Sequence, residues 1–342
     1  MRCNTVTESM VAATVRTVDG ARALRVERVL RPQPQVGQVR VRVQRAGINT
    51  LDARLAEGTL PRWATANCLP WDLSSAPTRG IGVDVVGIVD RVGSEAHAHL
   101  LGCRVAGYVN ASRRACFGFA TPGTYAEWAL ASASDLAVVP SVVSDDEAAA
   151  LPLPALTAHQ VLEKYSVGAK HRVVVMGAAG SVGKMAVQLS MLRGARVSAV
   201  CRPKDADAVA KLGADEVIVA DDVRRLVPTP VYDVVYDTTA ALSAKQGGRW
   251  RRRGGVFVSN LFSADVAWRR WTGLADFAWV KPNGAHMKHL LQLVAAGQLR
   301  VEVDATFLLE QVAQAHQWLA DRGGRVVLEV QPALPGAFPE RT

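Results

Sequence analysis

The stretch His171-Arg172-Val173-Val174-Val175-Met176-Gly177-Ala178-Ala179-Gly180-Ser181-Val182-Gly183-Lys184 decides the fold. A short β-branched run stops at a glycine, a small-residue turn follows, and an apolar-periodic helix begins near Ser181. That is the strand, turn and helix start of a dinucleotide-binding unit. Gly177 permits the tight turn, Gly180 lets backbone approach a pyrophosphate with no Cβ in the way, and Gly183 lets helix and strand pack closely. The backbone around Ala178, Ala179, Ser181 and Val182 completes the cradle, with N–H groups at the helix start aimed at a diphosphate. Three glycines alone are a weak signal. The buried strand before them and the amphipathic helix after them make it specific.

Downstream of the turn, strands and helices alternate. Ala195–Val200, Glu216–Val219, Tyr232–Asp237 and Gly255–Ser259 read as strands, with a helix over Asp205–Leu212. This is the pattern of a Rossmann-type parallel sheet with crossover helices. Upstream the chain is β-rich: Arg22–Val29 and Gln38–Gln44 alternate, Gly82–Gly93 is glycine-punctuated, and Leu101–Val109, Gly123–Leu130 and Leu136–Val139 follow. The composition changes at Ser144, where Ser144-Asp145-Asp146-Glu147 spells a capping box. A helix over Ala148–Leu151 is expected to end at Pro152, and another to begin at Thr157. After Gly284 come a helix, a strand over Arg300–Val303, a helix over Leu309–Ala320 and a closing strand over Gly324–Val330. The tail after Pro332 is expected to fray. A proline-rich loop over 58–80 carries Trp63 and Trp71 and suits either a pocket mouth or a cover over the core. Residues 264–281 carry Trp268, Trp271, Phe277 and Trp279, which suit a substrate cleft or a subunit contact; core packing is the expectation for most of them.

Composition sets bounds. With 342 residues, 49% of them hydrophobic and 21% charged, one large or two ordinary globular domains are expected. There is no apolar run of membrane-spanning length, and the N-terminus lacks a secretory core, so a cytoplasmic location is expected. The five cysteines are scattered, which reads as free thiols and disfavours zinc. The net charge of +9 gathers partly at Arg249, Arg251, Arg252, Arg253 and at Arg269, Arg270. Such clusters suit an anionic ligand, a phosphorylated cofactor or nucleic acid. A solvated basic face is the preferred reading, with nucleic acid disfavoured.

Taken together, the order of elements resembles the zinc-independent medium-chain dehydrogenase/reductases, the quinone oxidoreductase-like group. The matching stretches are Gly47-Ile48-Asn49-Thr50-Leu51-Asp52, Gly82–Val89, Gly123-Thr124-Tyr125-Ala126-Glu127, Ala150–Ala158, the glycine-rich turn, Leu212-Gly213-Ala214-Asp215, Val280-Lys281-Pro282 and Gly324–Leu328. The resemblance implies an α/β fold: a chaperonin-10-like β-barrel catalytic domain over 1–139, a Rossmann nucleotide domain over 140–282, and a segment over 283–342 that completes the catalytic domain. It places the substrate cleft between the two and makes a homodimer a family expectation. Zinc-dependent relatives carry a Cys where Asn49 stands and a His where Val83 stands, so no metal is expected. His97 with His99, and His286 with His289, have ligand-like spacing but read as surface or helix-face residues.

The resemblance implies hydride transfer from NADPH to an enone, enoyl or quinone substrate, a small molecule, in a setting such as secondary metabolism. NADPH is expected because the second nucleotide-domain strand ends in Cys201-Arg202-Pro203-Lys204 rather than in a carboxylate. Arg202 can fork onto a 2′-phosphate, with Lys204 beside it or merely solvated. Thr157 and Asn260 are further expected cofactor contacts. Asn49 is the family's polar residue near nicotinamide and substrate; its other role would be to tie loops together. Lys281 beside the nicotinamide and Arg325 on the closing strand are either site cations or structural ones. Many enoyl reductases of the family carry a Tyr two residues after the Asp of Asn-x-x-Asp; here Arg54 stands there. Arg54 suits a carbonyl or anionic substrate and cannot act as a general acid. Solvent, Tyr108 or Tyr125 would then supply the proton, although Tyr125 reads first as a packing residue. Two other readings remain open: an NADPH-binding cyclase-like or accessory protein without a redox step, and a nucleic-acid-binding homologue.

Overall fold

The structure, a computed structural model, describes residues 8–18, 21–59, 79–109, 123–260 and 263–331. Trp63 and Trp71 with most of their loop, the N-terminal segment, Cys3, Cys68, Cys116 and the tail after Pro332 lie outside the described residues.

The chain starts with β1 (Ser9–Val18) paired antiparallel along its length with β2 (Ala21–Leu30). Then come β3 (Gln38–Ile48), α1 (Thr50–Glu57), β4 (Arg79–Gly80), β5 (Asp84–Val92), β6 (Arg104–Tyr108), β7 (Trp128–Ser132) and β8 (Leu136–Val138). Alternation makes β3: Val39, Val41 and Val43 enter the core that Val85, Val89 and Val105 share. The expected strand over Gly123–Leu130 is shorter than the sequence suggests. Only Ala126 bridges to Ala12 before β7 begins, and Gly123 lies so close to the Ile81 backbone that a Cβ would not fit.

Next are α2 (Asp145–Ala150) and α3 (Pro152–Lys164). The capping box at Ser144 forms as read: its hydroxyl accepts the Glu147 N–H at 3.2 Å, and Glu147 accepts the Ser144 N–H at 2.9 Å. The following helix begins at Pro152, not at Thr157. A proline in the first turn lacks only an N–H that would have had no partner there.

The parallel sheet follows, with β9 (Arg172–Met176), α4 (Ser181–Leu192), β10 (Arg196–Cys201), α5 (Ala206–Ala210), β11 (Glu216–Val219), β12 (Tyr232–Asp237), α6 (Ala244–Gly248), β13 (Arg251–Ser259), α7 (Ala264–Arg270) and β14 (Ala275–Phe277). Its order is β11-β10-β9-β12-β13-β14, all pairs parallel. The strand order therefore reverses beside β9, the crevice where doubly wound sheets bind ligands. Trp268 and Trp271 are 79% and 92% exposed, against the expectation of core packing. Val266 is the buried residue of α7, so its indoles point away from the sheet.

The chain ends with α8 (Gly284–Ala295), β15 (Ala305–Leu308), α9 (Val312–Arg322) and β16 (Val326–Glu329). Arg300–Val303 is not a strand; the β structure begins at Ala305, which pairs in parallel with Val326. β16 runs antiparallel to β3, placing Val326 opposite Ile48, and so completes the sheet β15-β16-β3-β5-β6-β8.

Two compact units result. One holds residues 1–153, 282–295 and 301–342; the other holds 154–281 and 296–300. Residues 140–153 thus group with the first unit, beyond the expected boundary at 139, because α2 packs on β3 and β5. Among the described residues no helix is long and apolar enough to cross a membrane.

Replacing Ser144 by Ala removes an acceptor from the start of α2. It is expected to cost about 1 kcal/mol and to lower Tm by a few degrees, read by thermal unfolding; an unchanged Tm would deny the cap its role.

Candidate functional site

The glycine-rich turn is built as its residue types require. Gly177 sits at φ 79°, and a Cβ there would strike the Thr239 methyl. The N–H groups of Gly177 and Ala178 both donate to the Val200 carbonyl, at 3.0 and 2.9 Å, which ties the turn to β10. The Thr238 hydroxyl donates to the Met176 carbonyl at 2.8 Å. At Gly183 a Cβ would overlap the Gly177 carbonyl oxygen, so that glycine serves packing. Gly180 differs. It is exposed, its backbone (φ −72°, ψ 163°) is open to any residue, and a Cβ there would meet only the Gly177 oxygen at 3.4 Å. Among the described residues nothing requires a glycine at 180. It is the N-cap of α4 and, as a glycine, brings no side-chain cap of its own to the positive end of a 12-residue helix. These are the features a diphosphate uses, and the turn fits a dinucleotide. Ala179, Ser181 and Val182 are half-buried in it.

At the end of β10, Arg202 is exposed, and its Nε reaches Asp205 at 3.2 Å. An exposed pair of this kind contributes little and yields readily to a phosphate. Lys204 is exposed in the same turn. Asn260 follows β13: its Oδ1 accepts the Tyr236 hydroxyl at 2.9 Å, and its Nδ2 donates to the Thr238 carbonyl at 3.1 Å. Asn260 is therefore linked through Thr238 to the turn. Thr157 is buried on α3. Three residues on, Gln160 grips the Lys281 backbone, accepting its N–H at 2.9 Å and donating to its carbonyl at 2.8 Å. The Lys281 side chain stays exposed.

The first unit gathers a different set. Asn49 caps α1, and both of its amide hydrogens go to carboxylates: Asp52 Oδ2 at 3.2 Å and Asp84 Oδ2 at 3.0 Å. Its Oδ1 accepts Arg325 Nη1 at 2.6 Å. Arg325 also donates to the Ile48 carbonyl at 2.9 Å, the Ala149 carbonyl at 3.2 Å and Asp84 at 2.8 Å. The structural role open to Asn49 and Arg325 is the one their bonds serve: the Asn49 amide hydrogens and the Arg325 Nη1 and Nη2 hydrogens are taken, while the buried Arg325 Nε–H has no partner among the described residues. Tyr125 donates to Asp52 Oδ2 at 3.0 Å. Asp84 Oδ1 accepts the Leu153 N–H at 2.9 Å.

This cluster is fully buried and holds two carboxyl groups against one cation. Asp84 lies beside Arg325, whereas Asp52 has no cation and its Oδ1 has no partner among the described residues. Burial, and then the Asp84 charge, push the Asp52 carboxyl up to about 7. Burial and the Asp52 charge also raise the Tyr125 hydroxyl well above its ordinary range, and burial raises Tyr108 beyond reach of neutral pH. Arg54, on α1, is half-buried, and its guanidinium has no hydrogen-bond partner among the described residues. Sequence reading passed over Asp52, Asp84 and Gln160. Two of these had a signal: Asn49-x-x-Asp52 is itself a capping box, and Asp84 is an acid opening an apolar strand.

Comparison with known proteins adds to this geometry. A family model for the alcohol dehydrogenase GroES-like domain matches residues 35–141, and one for zinc-binding dehydrogenase matches residues 212–328. The chain is 33% identical to a chloroplastic quinone-oxidoreductase homologue of Spinacia oleracea over 58% of its own length and 57% of that protein. The chain thus spans little more than half of that relative. It is 28% identical to a chloroplastic NADPH-dependent alkenal/one oxidoreductase of Arabidopsis thaliana, covering 88% of this chain and 74% of that one. A solved NAD-dependent alcohol dehydrogenase superposes with TM-score 0.72 at 30% identity, over 94% of this chain and all of that one (100%).

Two substitutions check the turn. Gly183→Ala is expected to destabilise the fold by about 1–3 kcal/mol, whereas Gly180→Ala is expected to keep the wild-type Tm and weaken dinucleotide binding by about tenfold or more. Thermal unfolding and calorimetric titration separate the two, and equal effects on Tm would deny Gly180 its ligand-facing role.

A third substitution checks the buried acid. The folded pKa of Asp52 is raised above its unfolded value, so its contribution is complete below about pH 4 and is lost as pH rises through about 7. Asp52→Asn is expected to flatten the fall in Tm between those limits. A wild-type and variant Tm that track each other across the range would show that Asp52 does not hold the proton.

Proposed function

Given that the chain belongs to the medium-chain dehydrogenase/reductases, in their quinone oxidoreductase-like group, which use nicotinamide cofactors, we propose that it is a zinc-independent, NADPH-dependent reductase of activated C=C bonds in enones, enoyl compounds or quinones. The observation that carries this reading is the contact between Asn49 and Arg325. Where zinc-dependent relatives place a cysteine ligand, this chain has an amide oxygen 2.6 Å from a buried guanidinium. A cation already occupies that position, and neither Asn49 nor Val83 supplies a zinc ligand. Removing hydride from an alcohol is helped by a Lewis acid that stabilises the alkoxide. A conjugated alkene is already electrophilic and needs chiefly orientation and a partner for the charge that builds on its carbonyl oxygen.

The residues divide the work accordingly. The backbone of Gly177–Gly183 holds the diphosphate, and Arg202, with Lys204, holds the 2′-phosphate. Thr157, Asn260 and Lys281 frame the rest of the cofactor, with Lys281 fixed through its backbone by Gln160. Bound NADPH supplies the hydride. The guanidinium of Arg54 attracts the developing negative charge of the substrate, and Asn49 and Arg325 hold the start of α1 on which Arg54 is carried. Tyr125 is already donating to Asp52, and water delivers the proton to the α-carbon. The Arabidopsis relative, an NADPH-dependent alkenal/one oxidoreductase, supports both halves of the reading.

The test is loss of NADPH absorbance over a panel of enones, enoyl thioesters and quinones. Bound NADPH with no oxidation across the panel, or a product with the mass of its substrate, overturns the proposal. Arg202→Ala is expected to lower kcat/KM for NADPH by about 10–100-fold while NADH use stays within about threefold. Equal losses with both cofactors would show that Arg202 does not read the 2′-phosphate.

A further inference from the structure

In an all-parallel sheet every strand starts at one edge and ends at the other. The glycine turn and Arg202 lie at the strand-end edge. The opposite edge is lined with arginines that the cofactor does not need. Arg196 and Arg172 are the first residues of β10 and β9 and pair in register. Arg251 opens β13 opposite Tyr232, but the next paired residues are Val234 and Val256. β13 therefore uses residues 252–255 where β12 uses only Asp233, and the excess bulges out of the sheet. Gly254, at φ 82° with open space around it, turns the bulge, and Arg252 pairs with Asp233 at its root. Arg253 at its tip is exposed.

The acids of this edge are bonded to the sheet, Asp233 from a buried position and Asp215 and Glu216 from exposed ones beside β11. Asp215 accepts the Val197 N–H at 2.7 Å, Glu216 accepts the Ser198 hydroxyl at 2.7 Å, and Asp233 accepts the Arg172 N–H at 2.8 Å. Among the described residues Arg172, Arg196, Arg249 and Arg253 form no ion pair and are exposed. The helices α6 and α7 start together, with the Ala244 N–H donating to Asp265 at 2.7 Å, and both lead back to this edge. There they deliver Arg249 and, at 92% exposure, Trp271.

We propose that this strand-start edge is a docking surface for an acidic amphipathic helix of a partner protein, its carboxylates on the arginine row and an apolar residue on Trp271. The row has a definite length. From β10 to β14 there are four strand spacings, about 19 Å, which matches roughly three and a half turns of helix. It also has an end: Asp215 and Glu216 stand before and at the start of β11. A long polyanion such as nucleic acid would run on over those carboxylates, whereas a short helix stops before them. The two aromatic rings in the middle of the row are closed to base stacking, since Tyr232 and Trp250 are buried and Arg172 covers Tyr232. Exposed tryptophan flanked by arginine is the composition of protein-binding hot spots. The inference is independent of the proposed reductase activity.

The probe is a fluorescein-labelled peptide of about 14 residues, roughly four helical turns, with Glu along one face and Leu along the other. Fluorescence anisotropy with the full chain is expected to show binding that weakens as salt rises. Arg249→Glu with Arg253→Glu should weaken it by about tenfold or more, while NADPH oxidation is unchanged. The same charge change placed elsewhere, Arg225→Glu with Lys288→Glu, should leave it within about twofold. A peptide with Lys in place of Glu should bind the Arg249/Arg253 variant better than wild type, which also shows that the variant is folded. Equal losses in both variants reduce the effect to net charge and overturn the proposal. So does tighter binding of single-stranded DNA of equal charge, lost in the same variant, or wild-type self-association that the variant abolishes.

Discussion

Arg325 is buried against Asp84, Asn49 and the carbonyls of Ile48 and Ala149, and much of one compact unit depends on that contact. It joins the entry to the closing strand, the end of β3, the start of β5 and the end of α2. A guanidinium loses several kcal/mol of hydration on burial, and recovers it only when its donors find partners in the right places. The geometry around it is therefore tightly specified. The cluster still holds one more carboxyl group than it has cations, and burial beside Asp84 pushes the Asp52 carboxyl up to about 7. Asn49 sits at the centre as an adaptor, with two donors to two acids and one acceptor for the cation. The same amide caps α1, so the electrostatic balance of the core also sets where the helix carrying Arg54 begins.

The second unit follows from a different constraint, the common direction of its strands. Parallel pairing sends all six strand ends to one edge, where loops must turn back into helices. Tight turns, small residues and helix N-termini collect there, the features a diphosphate uses. The strand starts collect at the other edge. Their charges are free of any cofactor requirement, and in this chain β9, β10 and β13 each start with an arginine. The sheet thus has two chemically distinct edges from one topological rule. Asp233 shows how the second edge is kept from unravelling: it accepts a backbone N–H from β9 and pairs with the root of the β13 bulge. Its carboxyl lies below the usual range: burial alone would raise it, but the Arg172 N–H and the Arg252 charge outweigh that.

Much of this was legible in the sequence by itself. Val173–Val175 before Gly177 and the periodic helix after Ser181 specified strand, turn and helix, because apolar period and glycine freedom are local properties. Ser144-x-x-Glu147 specified a cap for the same reason. Arg202 in place of a carboxylate specified an exposed cation at the end of β10. Asn49 and Val83 specified that two zinc ligands are missing. The start of α3 was misplaced because a proline reads as a stop from before and as a first-turn residue from after. Trp268 and Trp271 were misjudged because hydrophobicity does not tell which side of a seven-residue helix faces the sheet.

What only the tertiary structure decided is which charged groups meet. Asp84 and Arg325 are 241 positions apart, and nothing in the spacing of either indicates the other. Their encounter makes Asn49 a bridge within the core and raises the Asp52 carboxyl well above the usual carboxylate range. The division between the two glycines at 180 and 183 is of the same kind. One is required by a carbonyl that packing brings against it, and the other by nothing among the described residues. Local sequence fixes backbone conformation because its causes are local. Desolvation and charge pairing depend on neighbours that only the folded chain supplies.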